Sequence, residues 1–123
     1  MIVKHYKDSL VVECPKGQFT SHRFLTKQDD VGFSFTRTII NTGGPYQWHY
    51  QKHKESCYCE SGKGLVKNLV TREEYRIYPG VMYCLDKNEP HEFTAFEETS
   101  LLCVFTPALL GNEVHDSEGS YNA

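Results

Sequence analysis

The residues best suited to chemistry sit in two clusters: His49-Tyr50-Gln51-Lys52-His53-Lys54-Glu55, then Tyr83 to His91 further on. His49, Gln51 and Glu55 share parity, so on an unbroken strand they face one side; a turn between Gln51 and Glu55 would break that phase. An imidazole and a carboxylate with open positions suit Fe(II) or another first-row metal. The plain alternative is that His49, His53 and Glu55 are solvated strand or loop residues, where polar side chains usually sit. Five cysteines (Cys14, Cys57, Cys59, Cys84 and Cys103) make an odd set with no C-x-x-C pair. Cys57 and Cys59 are two apart, which on a strand puts both on one face. No disulfide framework is expected, and a reducing cytoplasm is the expected compartment.

The elements that must position these groups read as strands. Short apolar or alternating runs occur at 9–12, 23–25, 33–40, 46–49, 56–59, 64–70, 74–77, 81–85, 91–95 and 101–105. Turn signals separate them: Pro15-Lys16-Gly17, Asp29-Asp30, Asn41-Thr42-Gly43-Gly44-Pro45, Ser61-Gly62-Lys63-Gly64, Pro79-Gly80 and Asp86-Lys87-Asn88. Many short strands at close spacing predict an all-β sandwich or barrel, with helix only in small pieces near the ends. At 123 residues the chain suits a single domain spanning 1–123. Thirteen Lys and Arg against sixteen Asp and Glu, with no basic block, argue against a nucleic-acid partner. No apolar run approaches the roughly 20 residues of a membrane span. The opening MIVKHYKDSL carries lysines where a signal peptide needs an apolar stretch. On composition the polar stretch 107–123 reads as a loose tail.

Gly43-x5-His49-x-Gln51-x3-Glu55-x6-Gly62 resembles the first motif of the cupin superfamily, G-x5-H-x-H-x3-4-E-x6-G, with Gln51 in place of the second His. Gly80-x5-Asp86-x-Asn88-x2-His91 resembles the second, G-x5-P-x-G-x2-H-x3-N, with Asp86, Asn88 and Ala95 departing from it. The resemblance implies a double-stranded β-helix, a jelly-roll barrel with its metal inside. Replacement of the second His requires another ligand, or no metal.

Three segments resemble the ectoine synthase family of cupins more closely. His49 to Cys59 is similar to its H-Y-K-x-H-x-E-A-V-Y-C, and Pro79 to Lys87 with His91 is similar to P-G-x-x-Y-x-L-D-x-x-x-x-H. Cys103 to Pro107, Leu110 to Asp116 and Gly119 to Tyr121 resemble its C-terminal signature C-V-F-x-P-x-L-x-G-x-E-V-H. Nearly the whole chain takes part, although 4–18 matches poorly. The resemblance implies an iron-dependent homodimeric hydro-lyase that closes N-γ-acetyl-2,4-diaminobutyrate into ectoine with loss of water. It implies Glu55, Tyr83 and His91 as ligands of Fe2+, Tyr83 standing in for the missing imidazole. It implies catalytic roles for Tyr50, Thr38 and Cys103, and substrate contacts from Phe19, Arg23, Thr36, Phe105, Glu113 and His115. Phe19 stands where the family has Trp, and Thr36 where Asn is usual. Taken alone, Tyr83 and Cys103 read as core, Arg23 as a surface charge, and Glu113 and His115 as tail.

The implied reaction needs a bent substrate, a polarised amide oxygen, a base for the ammonium and an acid for the departing oxygen. Tyr50 suits the acid; His53 and Glu113 both suit the base. An amidine product is open to hydrolysis, so 107–123 is expected to close over the site as a lid. Two other readings remain compatible with the residues. One is a related cupin enzyme acting on another N-acyl amino acid. The other is a binding module for ectoine or a similar solute.

Overall fold

The computed structural model describes residues 1–121, which fold into ten strands and three short 3-10 turns. The strands are β1 (Leu10–Glu13), β2 (Phe19–Leu25), β3 (Ser34–Ile40), β4 (Gly43–Trp48), β5 (Lys54–Ser61), β6 (Gly64–Asn68), β7 (Glu74–Ile77), β8 (Met82–Leu85), β9 (His91–Ala95) and β10 (Thr99–Thr106). The turns are Tyr6–Asp8, Pro15–Gly17 and Lys27–Asp29. Six strands form one sheet in the order β1-β2-β3-β10-β5-β8, and four form the other in the order β4-β9-β6-β7. Every pairing is antiparallel. The all-β architecture is the one expected. Among the described residues no helix is long and apolar enough to cross a membrane.

Alternation decides which side chains meet inside. On β5, Glu55, Cys57 and Cys59 are buried while Lys54, Tyr58 and Glu60 are exposed. Cys57 and Cys59 do share a face. On β3 the inward set is Ser34, Thr36, Thr38 and Ile40, and on β10 it is Thr99, Leu101, Cys103 and Phe105. Phe93, Ala95, Val66, Ile77, Leu101 and Ile40 fill the core between the sheets. Arg23, Thr36, His53, Glu55, His91 and His115 are buried polar or charged side chains, and the site described below is built from them.

Two elements differ from the sequence reading. The run Asn41 to Pro45, expected as a turn, contributes Gly43, Gly44 and Pro45 to β4. β4 lies at a sheet edge, where a proline costs no ladder bond, and the register shifts between Gly43 and Tyr46 as in a bulge. β2 starts at Phe19 rather than near Arg23, because its inward positions include Ser21 and Arg23 and so hide the usual apolar alternation.

The third difference is the tail. Pro107 to Tyr121 has no regular structure, yet Leu109, His115, Ser120 and Tyr121 are buried, so the loose tail that composition predicts does not hold for these residues. Backbone bonds fix it: Lys27 N–H donates to the Leu109 carbonyl at 2.7 Å, and His49 N–H to the Gly119 carbonyl at 3.0 Å. Gln51 N–H donates to Ser120 Oγ at 3.1 Å. Gly119 is required here. Its φ is +72°, and a Cβ would stand 2.6 Å from the Gln47 carbonyl and 2.7 Å from the Trp48 Cα. Residues 122 and 123, the last two of the expected lid, lie outside the described residues.

Candidate active site

Register across the larger sheet aligns a single inward row. Arg23 on β2 faces Thr36 on β3, Thr36 faces Cys103 on β10, Cys103 faces Cys57 on β5, and Cys57 faces Tyr83 on β8. The next row carries Phe105 on β10 opposite Glu55 on β5. Neighbouring strands are about 5 Å apart. The row therefore runs from a guanidinium at one end to a phenol at the other, with two thiols and a carboxyl beside the phenol.

The loop between β4 and β5 adds Tyr50. Asn88 holds this loop, its Nδ2 donating to the carbonyls of Tyr50 at 3.0 Å and His53 at 2.9 Å. The phase breaks here, as a turn would require. Tyr50, His53 and Glu55 are buried, whereas Gln51 is exposed and pairs with Glu118. His49 is half-buried and lines an outer groove with Gln47, Gln51 and Glu118. The first histidine of the cupin-like motif is thus outside the cavity.

Tyr50 stacks on Tyr121 with ring centres 5.2 Å apart, and its hydroxyl lies 2.8 Å from His115 Nε2. Burial holds its phenol well above the usual tyrosine range, helped by the nearby Glu55 carboxyl, so Tyr50 stays protonated. Burial and then Arg23 push the imidazole of His115 down to about 3. A neutral His115 accepts the Tyr50 proton in its hydrogen bond.

The folded value of about 3 for His115 lies below the ordinary 6.5, so the unfolded chain binds the extra proton first as pH falls. Stability contributed by neutral His115 is complete above pH 6.5 and lost below it. Between pH 7 and 5 the loss should be about 2 kcal/mol, and His115→Gln should remove that part of the slope in urea unfolding. An unchanged acid sensitivity in the variant would refute the assignment.

Arg23 is 2% exposed despite its charge. The tail satisfies it: Nη1 donates to the Gly111 carbonyl at 2.6 Å and to Glu113 Oε1 at 3.0 Å, and Nη2 reaches Tyr121 Oη at 3.4 Å. Burial works against the Glu113 charge, but the backbone N–H groups of Gly111 and Leu110, with Arg23, outweigh it and hold the carboxyl below its usual range. Phe19 packs edge-on against Trp48 at 5.4 Å and against His115 at 4.9 Å. Thr36 is fully buried, and its Oγ1 has no hydrogen-bond partner.

At the other end Glu55 is 6% exposed. Burial pushes its carboxyl up to about 7 against hydrogen bonds from the thiols of Cys57 and Cys103. Among the described residues no ion pair reaches it. Tyr83 is also raised, first by burial and then by Cys57 and Glu55. His91 projects from the opposite sheet. Its Nδ1 lies 3.1 Å from the Glu89 carbonyl, while its buried Nε2 has no partner. Burial lowers it to about 4, so the Nε2 lone pair is available. The Tyr50 ring stands 6.0 Å from the His91 ring and shares the cavity with Glu55 and Tyr83. A carboxyl lacking a cation, a half-buried tyrosine and an orphaned imidazole nitrogen are donors of the kinds that a first-row divalent metal takes.

The cavity is lined by Phe19, Thr38, Tyr50, Glu55, Cys103 and Phe105, with Tyr83 and Tyr121 among its other walls. It leaves about 10 Å³ in which the centre of a water can lie, room for roughly one molecule. On the far side, an open cleft of about 620 Å³ between β7 and β8 reaches Tyr83 and His91. Sequence reasoning gave no role to Trp48, Asn88 or Tyr121. The signals were present: Trp48 shares parity with Tyr50, and Tyr121 closes the Gly119-Ser120-Tyr121 run.

Two facing antiparallel sheets around such a set of donors define a cupin-type protein. An RmlC-like cupin from Shewanella frigidimarina NCIMB 400 shares the fold, with a TM-score of 0.69 at 14% identity, covering 88% of this chain and 92% of that one. The chain belongs to the ectoine synthase family, whose model matches residues 1–123. The L-ectoine synthase of Marinomonas sp. (strain MWYL1) is 48% identical over 110 residues, covering 89% of this chain and 85% of its own. That of Oceanobacillus iheyensis is 41% identical over 123 residues, covering 98% and 96%. The crystal structure of ectoine synthase from P. lautus superposes with a TM-score of 0.82 at 36% identity, covering 90% of this chain and 81% of that one.

Proposed function

We infer that this chain is a hydro-lyase that closes N-γ-acetyl-2,4-diaminobutyrate into ectoine. The observation that carries the reading is the inward row with a buried guanidinium at one end and a metal-competent donor set at the other, in a chain of this family. In the reaction the free amine bonds to the acetamide carbon, and the carbonyl oxygen leaves as water.

Glu55, Tyr83 and His91 would hold iron. Bound there, iron supplies a Lewis acid for the amide oxygen. Arg23 takes the substrate carboxylate in its two-pronged donor face after Glu113 lets go. Phe19, Phe105 and Tyr121 close apolar walls around the carbon chain and favour the bent conformer. Tyr50, its hydroxyl held by neutral His115, gives its proton to the departing oxygen and recovers one from water as the product leaves. His53 is our candidate for the base. It is buried and held neutral chiefly by burial, neither ring nitrogen has a partner, and its ring packs against Phe105 and Tyr121. Glu113 is committed to Arg23. Thr38 and Cys103, which approach to 3.7 Å, complete the wall on the larger sheet. The tail acts as the lid. On the outer face of that sheet Tyr58, Met82 and Val104 are exposed, an apolar surface suited to a second copy in a homodimer.

Iron-loaded protein incubated with N-γ-acetyl-2,4-diaminobutyrate should yield ectoine. Tyr50→Phe should lower turnover by about a hundredfold to a thousandfold, the scale for losing a positioned acid, with iron retained. Tight ectoine binding without turnover would instead favour the solute-binding module, and inertness toward both compounds would favour a different N-acyl amino acid.

A further inference from the structure

The reaction as written gives Cys103 a place in the cavity wall and Cys57 no role, yet the two thiols are placed together. They stand directly opposite on β5 and β10, both buried, with Sγ atoms 3.7 Å apart. The Glu55 carboxyl completes the group, and the three ligand atoms all lie within 4.8 Å of one another. The Tyr83 hydroxyl is a hydrogen-bond neighbour of Cys57. The pattern that this segment resembles carries valine at the place of Cys57.

We propose that Glu55, Cys57 and Cys103 form a binding site for zinc, sharing Glu55 with the iron site proposed above. Two thiolates about 2.3 Å from a tetrahedral ion stand about 3.8 Å apart, which is the separation seen. Two sulfurs and one carboxylate oxygen make three of four tetrahedral positions, and the fourth is open to Tyr83 Oη or a water. Each thiol gives its proton to solvent as the ion binds. Thiolate donors favour zinc over iron at such a site, whereas the oxygen and nitrogen set of Glu55, Tyr83 and His91 favours iron. Because both sets use Glu55, zinc and iron exclude each other.

Cobalt reports on this directly. Reduced, metal-stripped protein titrated with Co2+ should show thiolate-to-cobalt charge-transfer absorption, and one equivalent of Zn2+ should bleach it. Cys57→Val and Cys103→Ser should each remove most of the band and weaken Zn2+ binding about a hundredfold, at least the loss from removing a partner one shell out. His91→Ala should keep the band, which separates this site from the iron site. Cobalt bound without the band, or a band that survives Cys57→Val in a folded variant, would overturn the proposal. Neither result would touch ectoine formation by iron-loaded protein, which stands or falls on the product assay.

Discussion

Alanine at Glu55, Tyr83 or His91 should strip most of the iron and lower ectoine formation by about a thousandfold, the upper range for losing one preorganised electrophilic group. The Glu55 carboxyl, pushed up to about 7 by burial with thiols as its donors, is costly to keep ionised. Its folded value lies above the ordinary 4.5, so the charge opposes folding above that pH. At pH 7 the penalty is about 3 kcal/mol. Glu55→Gln should therefore raise, not lower, the stability of metal-free protein while abolishing iron binding. His91→Ala should cost about 2–4 kcal/mol, because it removes a buried ring, and Tyr83→Ala less, because that ring is half-buried. Iron content and urea midpoints, measured together, test the set. Full iron content in all three alanine variants would remove the assignment. A metal-free Glu55→Gln protein less stable than the parent would show the carboxyl to be structural.

Truncation after Gly111 should cut turnover by about a hundredfold or more, the scale for losing positioned groups. Iron content should change little, since Glu55, Tyr83 and His91 lie on strands and not on the tail. The same truncation should cost about 3 kcal/mol of stability, because Tyr121 is fully buried and stacks on Tyr50. Glu113→Gln in the full chain keeps Tyr121 packed but leaves the buried Arg23 charge without its carboxylate, so it should cost about 3–5 kcal/mol of stability, with a change in KM beside it. Wild-type turnover by the truncated protein would show the tail to be packing and nothing more.

Much of the fold was legible because alternation was legible. β5, with Glu55, Cys57 and Cys59 against Lys54, Tyr58 and Glu60, declares its faces in sequence. β2 does not, because a site residue, Arg23, occupies an inward position and needs the tail to neutralise it. No local pattern announces a pairing between residues 23 and 113. The tail was misread on composition for the same reason. Its anchors are single residues, Leu109, His115 and Tyr121, spaced too far apart to make a period. The candidate site fared unevenly. The spacing around Glu55 and His91 pointed into one barrel, but His49 turned outward when the loop broke phase. Cys103, taken alone, reads as core because its partner Cys57 lies on another strand.

The ion pair of Arg23 with Glu113 makes the tail a tethered rival for the substrate. A carboxylate on a short tether is present at an effective concentration in the millimolar range. A free carboxylate competes with it, and the apparent dissociation constant equals the intrinsic one divided by the fraction of molecules with the tail lifted. Where closure is favoured about tenfold, affinity falls about tenfold without any change in the contacts made. Such an enzyme ignores traces of its substrate and engages only when supply is abundant. A toll of this kind converts a packing interaction into a concentration threshold, set jointly by the pocket's own affinity and by how firmly the tail holds Arg23.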